Sequence, residues 1–297
     1  MKASYITPAV TTFDNKGNLD HEAQKSLYDF LIQGGVNGIL ILGSIGEFFA
    51  IPIEKKKELI RVAARHINRR TQLLVGTASM DVRETIELSR YAYEQGADGV
   101  VVVSPFYFSL TDQSVEEYYD YLARECPIDL YLYNFPDRTG YEISPMVALN
   151  LVRKHKNIVG IKDTIAGMDH TRELIKLIKL EYPDFKIYSG FDDNFAHNVI
   201  SGGDGCIAGL SNLAPEICNG WVNAFKDNDM KLVATIQQRI DRLMGIYQVG
   251  KPFVPYIKKA MAIRGIPVQD YCTFPMPLVT ENDVIKLKQI MKFENII

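Results

Sequence analysis

The run NIVGIK at residues 157–162 has the length and apolar character of a buried β-strand, and it ends on a lysine. Runs that are apolar throughout, instead of alternating, are typical of parallel strands that helices cover on both faces. Seven similar runs occur elsewhere in the chain, so the sequence predicts eight parallel strands. They are YITPAV (5–10), NGILIL (37–42), QLLVG (72–76), GVVVV (99–103), DLYLY (129–133), KIYSG (186–190) and GCIAG (205–209).

Segments with helical apolar spacing separate these runs, for example at 51–67, 81–96, 114–126 and 144–155. An open doubly wound sheet would also alternate strands with helices. Eight consecutive βα units favour closure into a (β/α)8 TIM barrel, because an open sheet normally reverses its winding at a switch point. Only helical patterns follow, at 229–248, 252–265 and 280–293. We therefore expect an α/β chain with a barrel catalytic domain at 1–225 and a C-terminal three-helix appendage at 226–297.

The composition is that of an ordinary globular protein, with 47% hydrophobic and 23% charged residues among 297. A net charge of -3 without a dense basic run argues against a nucleic-acid partner. No stretch approaches the roughly 18 apolar residues of a membrane span, and the N-terminus lacks the apolar region of a signal peptide. The four cysteines have no C-x-x-C spacing, which favours reduced thiols and a cytoplasmic location. They are Cys126, Cys206, Cys218 and Cys272.

Candidate metal ligands are scattered. Asp192, Asp193 and the five histidines show neither HExxH nor clustered ligand spacing. We therefore expect no metal site and interpret these residues as solvated or as helix caps. The histidines are His21, His66, His155, His170 and His197.

Lys162 is a strong candidate for chemistry, because reactive groups of a parallel barrel lie at the C-terminal ends of its strands. Two interpretations are open. Lys162 is either a structural lysine paired with a carboxylate such as Glu47, or an amine that its dry surroundings make nucleophilic near neutral pH.

Two neighbouring features fit the second interpretation. Tyr133 closes the preceding strand, and its phenol could transfer protons beside an imine-forming lysine. In GSIGEFF (43–49), two glycines and Ser44 could hold an anionic carboxylate. The glycine-rich GGDGCIAGLSN (202–212) could bind a phosphate, although tight packing explains it better.

Four motifs, in family order, resemble the dihydrodipicolinate synthase and N-acetylneuraminate lyase superfamily of class I pyruvate aldolases. They are GSIGEF (43–48), SPFYF (104–108), YNFPDRTG (133–140) and GIKDT (160–164). The resemblance extends over nearly the whole chain. It implies that Lys162 forms an imine with the ketone of pyruvate, that Tyr133 relays protons and that the segment of Ser44 and Ile45 holds the pyruvate carboxylate.

The same resemblance implies further roles. Tyr107 is similar to a tyrosine that reaches into a neighbouring subunit's site, so a homo-oligomer, a dimer or a tetramer, is expected. The partner would be a small-molecule 2-keto acid, with no cofactor other than the covalent lysine imine. The substrate-binding set would be Ile45, Gly46, Arg138, Gly190 and Ile207.

Signals for the substrate conflict. The synthases usually carry two adjacent threonines where this chain has Ser44 and Ile45. Arg138, however, stands where the synthases place an arginine that binds the carboxylate of the aldehyde substrate. The stretches at 160–175, 189–194 and 202–215 and YQVGKPFVPYIKKAM (247–261) look more like the 2-keto-3-deoxy-sugar-acid aldolases. That branch is our preferred prediction. The alternatives are 4-hydroxy-tetrahydrodipicolinate synthase, N-acetylneuraminate lyase and a non-catalytic binding barrel.

Overall fold

The computed structural model describes all residues from 1 to 297 and contains a closed barrel of eight parallel strands in chain order. Each strand overlaps one of the eight apolar runs, so the predicted (β/α)8 fold is confirmed. The strands are β1 (Ser4–Pro8), β2 (Gly38–Ile41), β3 (Gln72–Gly76), β4 (Gly99–Val103), β5 (Leu130–Asn134), β6 (Ile158–Asp163), β7 (Lys186–Ser189) and β8 (Gly205–Ile207).

Helices follow every strand and cover the outside of the barrel. Those of the βα units are α1 (His21–Gln33), α2 (Ile53–Ile67), α3 (Val82–Glu94), α4 (Asp112–Glu125), the short α5 (Pro136–Thr139), α6 (Pro145–Lys154), α7 (Asp169–Ile178), α8 (Phe195–Ile200) and α9 (Pro215–Lys226). Several begin at side-chain caps; Asp81, for instance, accepts a hydrogen bond from the Arg83 amide.

The C-terminal segment has four helical pieces instead of the predicted three. They are α10 (Met230–Leu243), α11 (Gly245–Gln248), α12 (Val254–Ile263) and α13 (Glu281–Phe293). The helix predicted at 229–248 is interrupted at Met244, next to Gly245, a residue type that weakens helices. This break turns Tyr247 towards the mouth of the barrel, where it lines a cavity.

A single apolar core runs through the barrel and the C-terminal helices, since Leu132 of β5, Ile240 of α10 and Leu287 of α13 belong to one buried cluster. The predicted boundary at 225/226 falls before the last residue of α9. The four cysteines are free thiols. No helix combines the length and the apolarity needed to cross a bilayer.

Candidate active site

The C-terminal ends of the strands open into a cavity that brings most of the predicted site residues together. Tyr133 of β5 pairs in register with Lys162 of β6. Both side chains line the cavity, together with Ser44 and Ile45 from the segment after β2. An outer chamber lies above and shares Ser44 and Arg138 with it. The predicted clustering at strand ends is therefore present in the fold.

Lys162 is a buried lysine without a charged partner. Lys162 is only 4% exposed, and its Nζ lies 4.4 Å from the centroid of the Tyr133 ring. The structural alternative, pairing with Glu47, is wrong: Glu47 forms its ion pair with Lys258 of α12, and both are fully buried. No carboxylate therefore holds the Lys162 Nζ in an ion pair, and the side chain borders the cavity.

Ser44 and Tyr133 approach each other across the cavity, with 3.4 Å between the Ser44 Oγ and the Tyr133 phenol oxygen. The segment that carries Ser44 is held in a tight turn, in which the Gly46 amide donates to the Gly43 carbonyl. No hydrogen bond within the chain uses the backbone N–H of Ser44 or Ile45. These two amides and the Ser44 hydroxyl can therefore donate to a bound carboxylate.

The remaining predicted residues divide into two groups. Arg138, Gly190 and Ile207 line the cavity. Gly190 is required there, because a Cβ would lie 1.8 Å from the Thr164 Oγ1. Gly46 does not line it, although its carbonyl accepts from the Thr11 hydroxyl and so fixes the turn beneath Ser44.

Tyr107 also lies outside the cavity. Its side chain is 79% exposed in the single chain and packs edge-on against Phe108. Nothing within one chain brings Tyr107 to Lys162.

Asp192 is a cavity residue that sequence reasoning placed wrongly in solvent. It is 2% exposed and accepts hydrogen bonds from the Tyr5 hydroxyl, the Leu210 amide at 2.8 Å and the Tyr247 hydroxyl at 3.2 Å. Burial is the main cause that raises the pKa of this carboxyl to about 6. Only the neighbouring Asp193 matches the expectation of exposure. The sequence SGFDDN does not reveal which aspartate turns inward.

Four further residues that line the cavity were not predicted from the sequence. Thr164 follows β6, whereas Met244, Tyr247 and Phe253 come from the C-terminal helical segment and close one side of the cavity. Their helical pattern gave no sign that they would reach the barrel mouth.

His170 is also buried, contrary to the expectation that the histidines are solvated. It is 7% exposed, and its Nδ1 lies 3.0 Å from the Asp163 carboxylate. His155, in contrast, pairs with Asp120 near the surface. Nowhere do three His, Cys, Asp or Glu side chains converge in a way that could hold a metal ion.

Residues 1–294 match the family model of the dihydrodipicolinate synthetase family. The chain belongs to this family. It is 34% identical to an Escherichia coli protein named "Probable 2-dehydro-3-deoxy-D-pentonate aldolase YjhH". The match extends over 292 residues and covers 98% of this chain and 97% of the relative. The resemblance inferred from four motifs is confirmed.

Solved structures of the family agree with the fold. The crystal structure of YagE, an Escherichia coli K12 prophage protein of the dihydrodipicolinic acid synthase family in complex with pyruvate, matches with a TM-score of 0.97. It is 34% identical and covers 99% of both chains. Dihydrodipicolinate synthase from Thermotoga maritima matches with a TM-score of 0.94 at 26% identity over 100% of both chains.

Proposed function

We propose that this chain is a class I aldolase that cleaves a 2-keto-3-deoxy sugar acid to pyruvate and an aldehyde through an imine on Lys162. The observation that carries the proposal is the lysine itself. It is buried, has no counter-ion and borders a cavity beside the Tyr133 phenol. A lysine amine that borders a substrate cavity can attack the ketone of a bound keto acid.

The reaction follows from these positions. Lys162 Nζ attacks C2 of the keto acid, and loss of water from the carbinolamine gives a protonated imine. The imine accepts the electron pair of the C3–C4 bond as it breaks, while the C4 hydroxyl loses its proton and becomes the aldehyde. Protonation of the enamine at C3 and hydrolysis then release pyruvate and restore the lysine. The covalent imine is the electron sink, so the chain supplies the chemistry from its own side chains.

Tyr133 is the group that we assign to proton transfer, and Ser44 links it to the carboxylate subsite. The Ser44 hydroxyl lies 3.4 Å from the phenol oxygen. The two unbonded amides of Ser44 and Ile45 bind the substrate carboxylate and thereby place C2 next to Lys162. Gly190 and Ile207 complete the wall around the pyruvate half.

The sugar-acid branch is supported by the name of a relative and by an unpaired hydroxyl in the cavity wall. The Escherichia coli relative with 34% identity is named as a 2-dehydro-3-deoxy-D-pentonate aldolase. The cavity wall includes Thr164, whose Oγ1 is buried without a partner. A hydroxylated chain suits this position, because an unpaired buried polar atom favours a ligand that can hydrogen-bond it.

A second candidate, condensation of pyruvate with aspartate semialdehyde, is favoured by one observation. Arg138 lines both chambers without a carboxylate partner and lies over the Phe135 ring. A second substrate carboxylate could bind this guanidinium in a bidentate pair.

The assembly that we propose is a homo-oligomer, a dimer or tetramer, in which Tyr107 of one protomer serves the site of another. We place the reaction in the cytoplasm, which suits the four free thiols.

Trapping the imine tests the mechanism. Incubation with pyruvate and sodium borohydride should leave one reduced pyruvate on Lys162, detected by peptide mass spectrometry, and should abolish activity. Lys258 is the internal control, because it is equally buried but paired with Glu47 and should remain unlabelled. Labelling of another lysine, or none in an active enzyme, would overturn the mechanism.

A substrate panel tests the branch. Pyruvate release from 2-keto-3-deoxy pentonates and from 2-keto-3-deoxy-gluconate should exceed turnover of pyruvate with aspartate semialdehyde. A higher kcat/KM for aspartate semialdehyde would establish the synthase activity instead, and would leave the imine on Lys162 intact.

A further inference from the structure

A buried polar network lies directly behind Tyr133 and Lys162, on the helix-facing side of β5 and β6. Asn134 and Asp163 follow these two residues and pair in register. Strand alternation directs them away from the cavity. The Asn134 Nδ2 donates to the Asp163 Oδ1 at 2.7 Å, and the Asn134 Oδ1 accepts from the Ile143 amide at 2.9 Å. The ends of both strands are thus joined from behind.

His170, in the first turn of α7, closes this network. Its Nδ1 lies 3.0 Å from the Asp163 Oδ2, and its Nε2 lies 3.0 Å from the Ile143 carbonyl oxygen. The Thr171 hydroxyl donates to the same Asp163 oxygen at 2.6 Å. His170 therefore links α7, β6 and the segment before α6 at one point.

Both ring nitrogens of His170 face hydrogen-bond acceptors. A carbonyl oxygen can only accept, and so can an ionised carboxylate, whereas a neutral imidazole can donate from only one nitrogen. Two simultaneous hydrogen bonds require the doubly protonated ring. We propose that His170 is a buried imidazolium that, with Asp163, positions Lys162 and Tyr133 by fixing the ends of their strands; this role rests on the proposed function.

The surroundings of the ring agree with this assignment. Burial lowers the pKa of His170, but the hydrogen bond and charge of Asp163, the charge of Glu142 and the Ile143 carbonyl together raise it above its ordinary value. Asp163 has no Lys or Arg partner, so His170 is the cation that balances it. The charged residues beside it on α7, Asp169 and Arg172, are exposed.

The charge of His170 can be measured without any variant. Nitrogen chemical shifts of labelled histidine should show His170 with both ring nitrogens protonated at pH 7.5, and one proton should be lost only at higher pH. A neutral ring at pH 7.5 would overturn the proposal, whatever the enzyme's activity.

A pair of variants tests the positioning role. His170→Gln cannot donate to both acceptors, so we expect borohydride trapping of pyruvate at Lys162 to slow by between about tenfold and a hundredfold. KM for pyruvate should change little, because the proposed carboxylate subsite belongs to the segment after β2. His155→Gln is the matched control: it removes a histidine from a His–Asp pair, with Asp120 at 2.8 Å, just before β6 begins.

The outcomes separate this inference from the proposed function. Equal trapping rates for His170→Gln, His155→Gln and the wild type would overturn the positioning role while confirming Lys162 as the nucleophile. Absence of trapped pyruvate in the wild type would overturn the proposed function and the positioning role together. If His170→Gln fails to fold, the same comparison with Thr171→Val, which weakens the network through a second donor, decides the matter.

Discussion

The buried lysines of this chain differ in their partners, and the difference determines what each can do. Lys258 has a carboxylate partner, whereas Lys162 has none. The position of Lys162 could be predicted because it ends the apolar run at 157–162, and none of the other seven runs ends on lysine. The burial of Asp192 could not, because a short turn at Asp192–Asn194 decides which aspartate faces inward.

The raised pKa of Asp192 predicts a pH-dependent cost to stability. With a folded pKa of about 6 against an ordinary 3.8, the folded state binds more protons than the unfolded state between these values. The stabilising contribution of Asp192 to the folded state is therefore present below about pH 4 and is lost as pH rises through 6. Asp192→Asn removes this titration, so the unfolding free energy of the variant, relative to that of the wild type, should rise by roughly 2.5 kcal/mol between about pH 4 and 7. Urea unfolding across this range measures the gain.

A control of opposite sign is available in Asp81, whose pKa is lowered mainly by its hydrogen bonds from Arg83. Asp81→Asn should lose stability relative to the wild type as pH rises from about 3 to 5. If the difference in unfolding free energy between Asp192→Asn and the wild type stays constant from pH 4 to 7, the raised pKa of Asp192 is contradicted.

At the scale of elements, the segment after β2 is held by a residue far away in sequence. Leu42 and Glu47 adopt left-handed backbone conformations on either side of residues 43–46. Glu47 pairs with Lys258 of α12 and accepts from the Thr273 amide at 2.7 Å. The C-terminal helices therefore fix the proposed carboxylate subsite. The loop could be located from its glycines. The ion pair between Glu47 and Lys258 could not be predicted, since nothing in the local sequence connects the two residues.

Breaking the ion pair between Glu47 and Lys258 should destabilise the fold strongly. Lys258→Met leaves the Glu47 carboxylate buried without its counter-ion, so we expect a loss of about 3–5 kcal/mol in unfolding free energy. The double variant Glu47→Gln/Lys258→Met should lose less than the sum of the two single changes, because neither charge then remains alone. Lys259→Met is the control: its pair with Asp270 is about one-third exposed and should contribute less than about 1 kcal/mol. Strictly additive losses in denaturant unfolding would contradict the coupling.

At the scale of the whole molecule, the barrel could be predicted because eight runs repeat one simple pattern. Each run is short, apolar and followed by a helix, so the order of strands in space follows the order in the chain. The closure of the cavity by Met244, Tyr247 and Phe253 could not be predicted, because it depends on how the C-terminal segment packs on the barrel. The boundary at 225/226 stays a prediction, since one core crosses it.

An exposed apolar patch lies at the edge of the outer chamber and supports the proposed oligomer. Phe49, Tyr107 and Phe108 are more than half exposed. Phe49 packs edge-on against Phe48, which in turn contacts Phe106, the residue next to Tyr107. Apolar residues grouped in this way favour burial against another protein surface. A second copy would bury the patch and could bring Tyr107 close to a site that its own chain leaves out of reach.

Hybrid oligomers test whether Tyr107 acts across an interface. Lys162→Ala and Tyr107→Phe should each be nearly inactive alone, because one lacks the nucleophile and the other the partner's phenol. In random two-fold mixing, half of the dimers are hybrids, and each hybrid has one site with an intact Lys162 and an intact Tyr107 from the other chain. Unfolding and refolding an equal mixture should therefore restore about one quarter of wild-type pyruvate release. Mixing without refolding is the control and should restore nothing if the subunits exchange slowly. If the refolded mixture has only the summed activity of the two variants, Tyr107 does not act in trans, and the exposed patch must have another role.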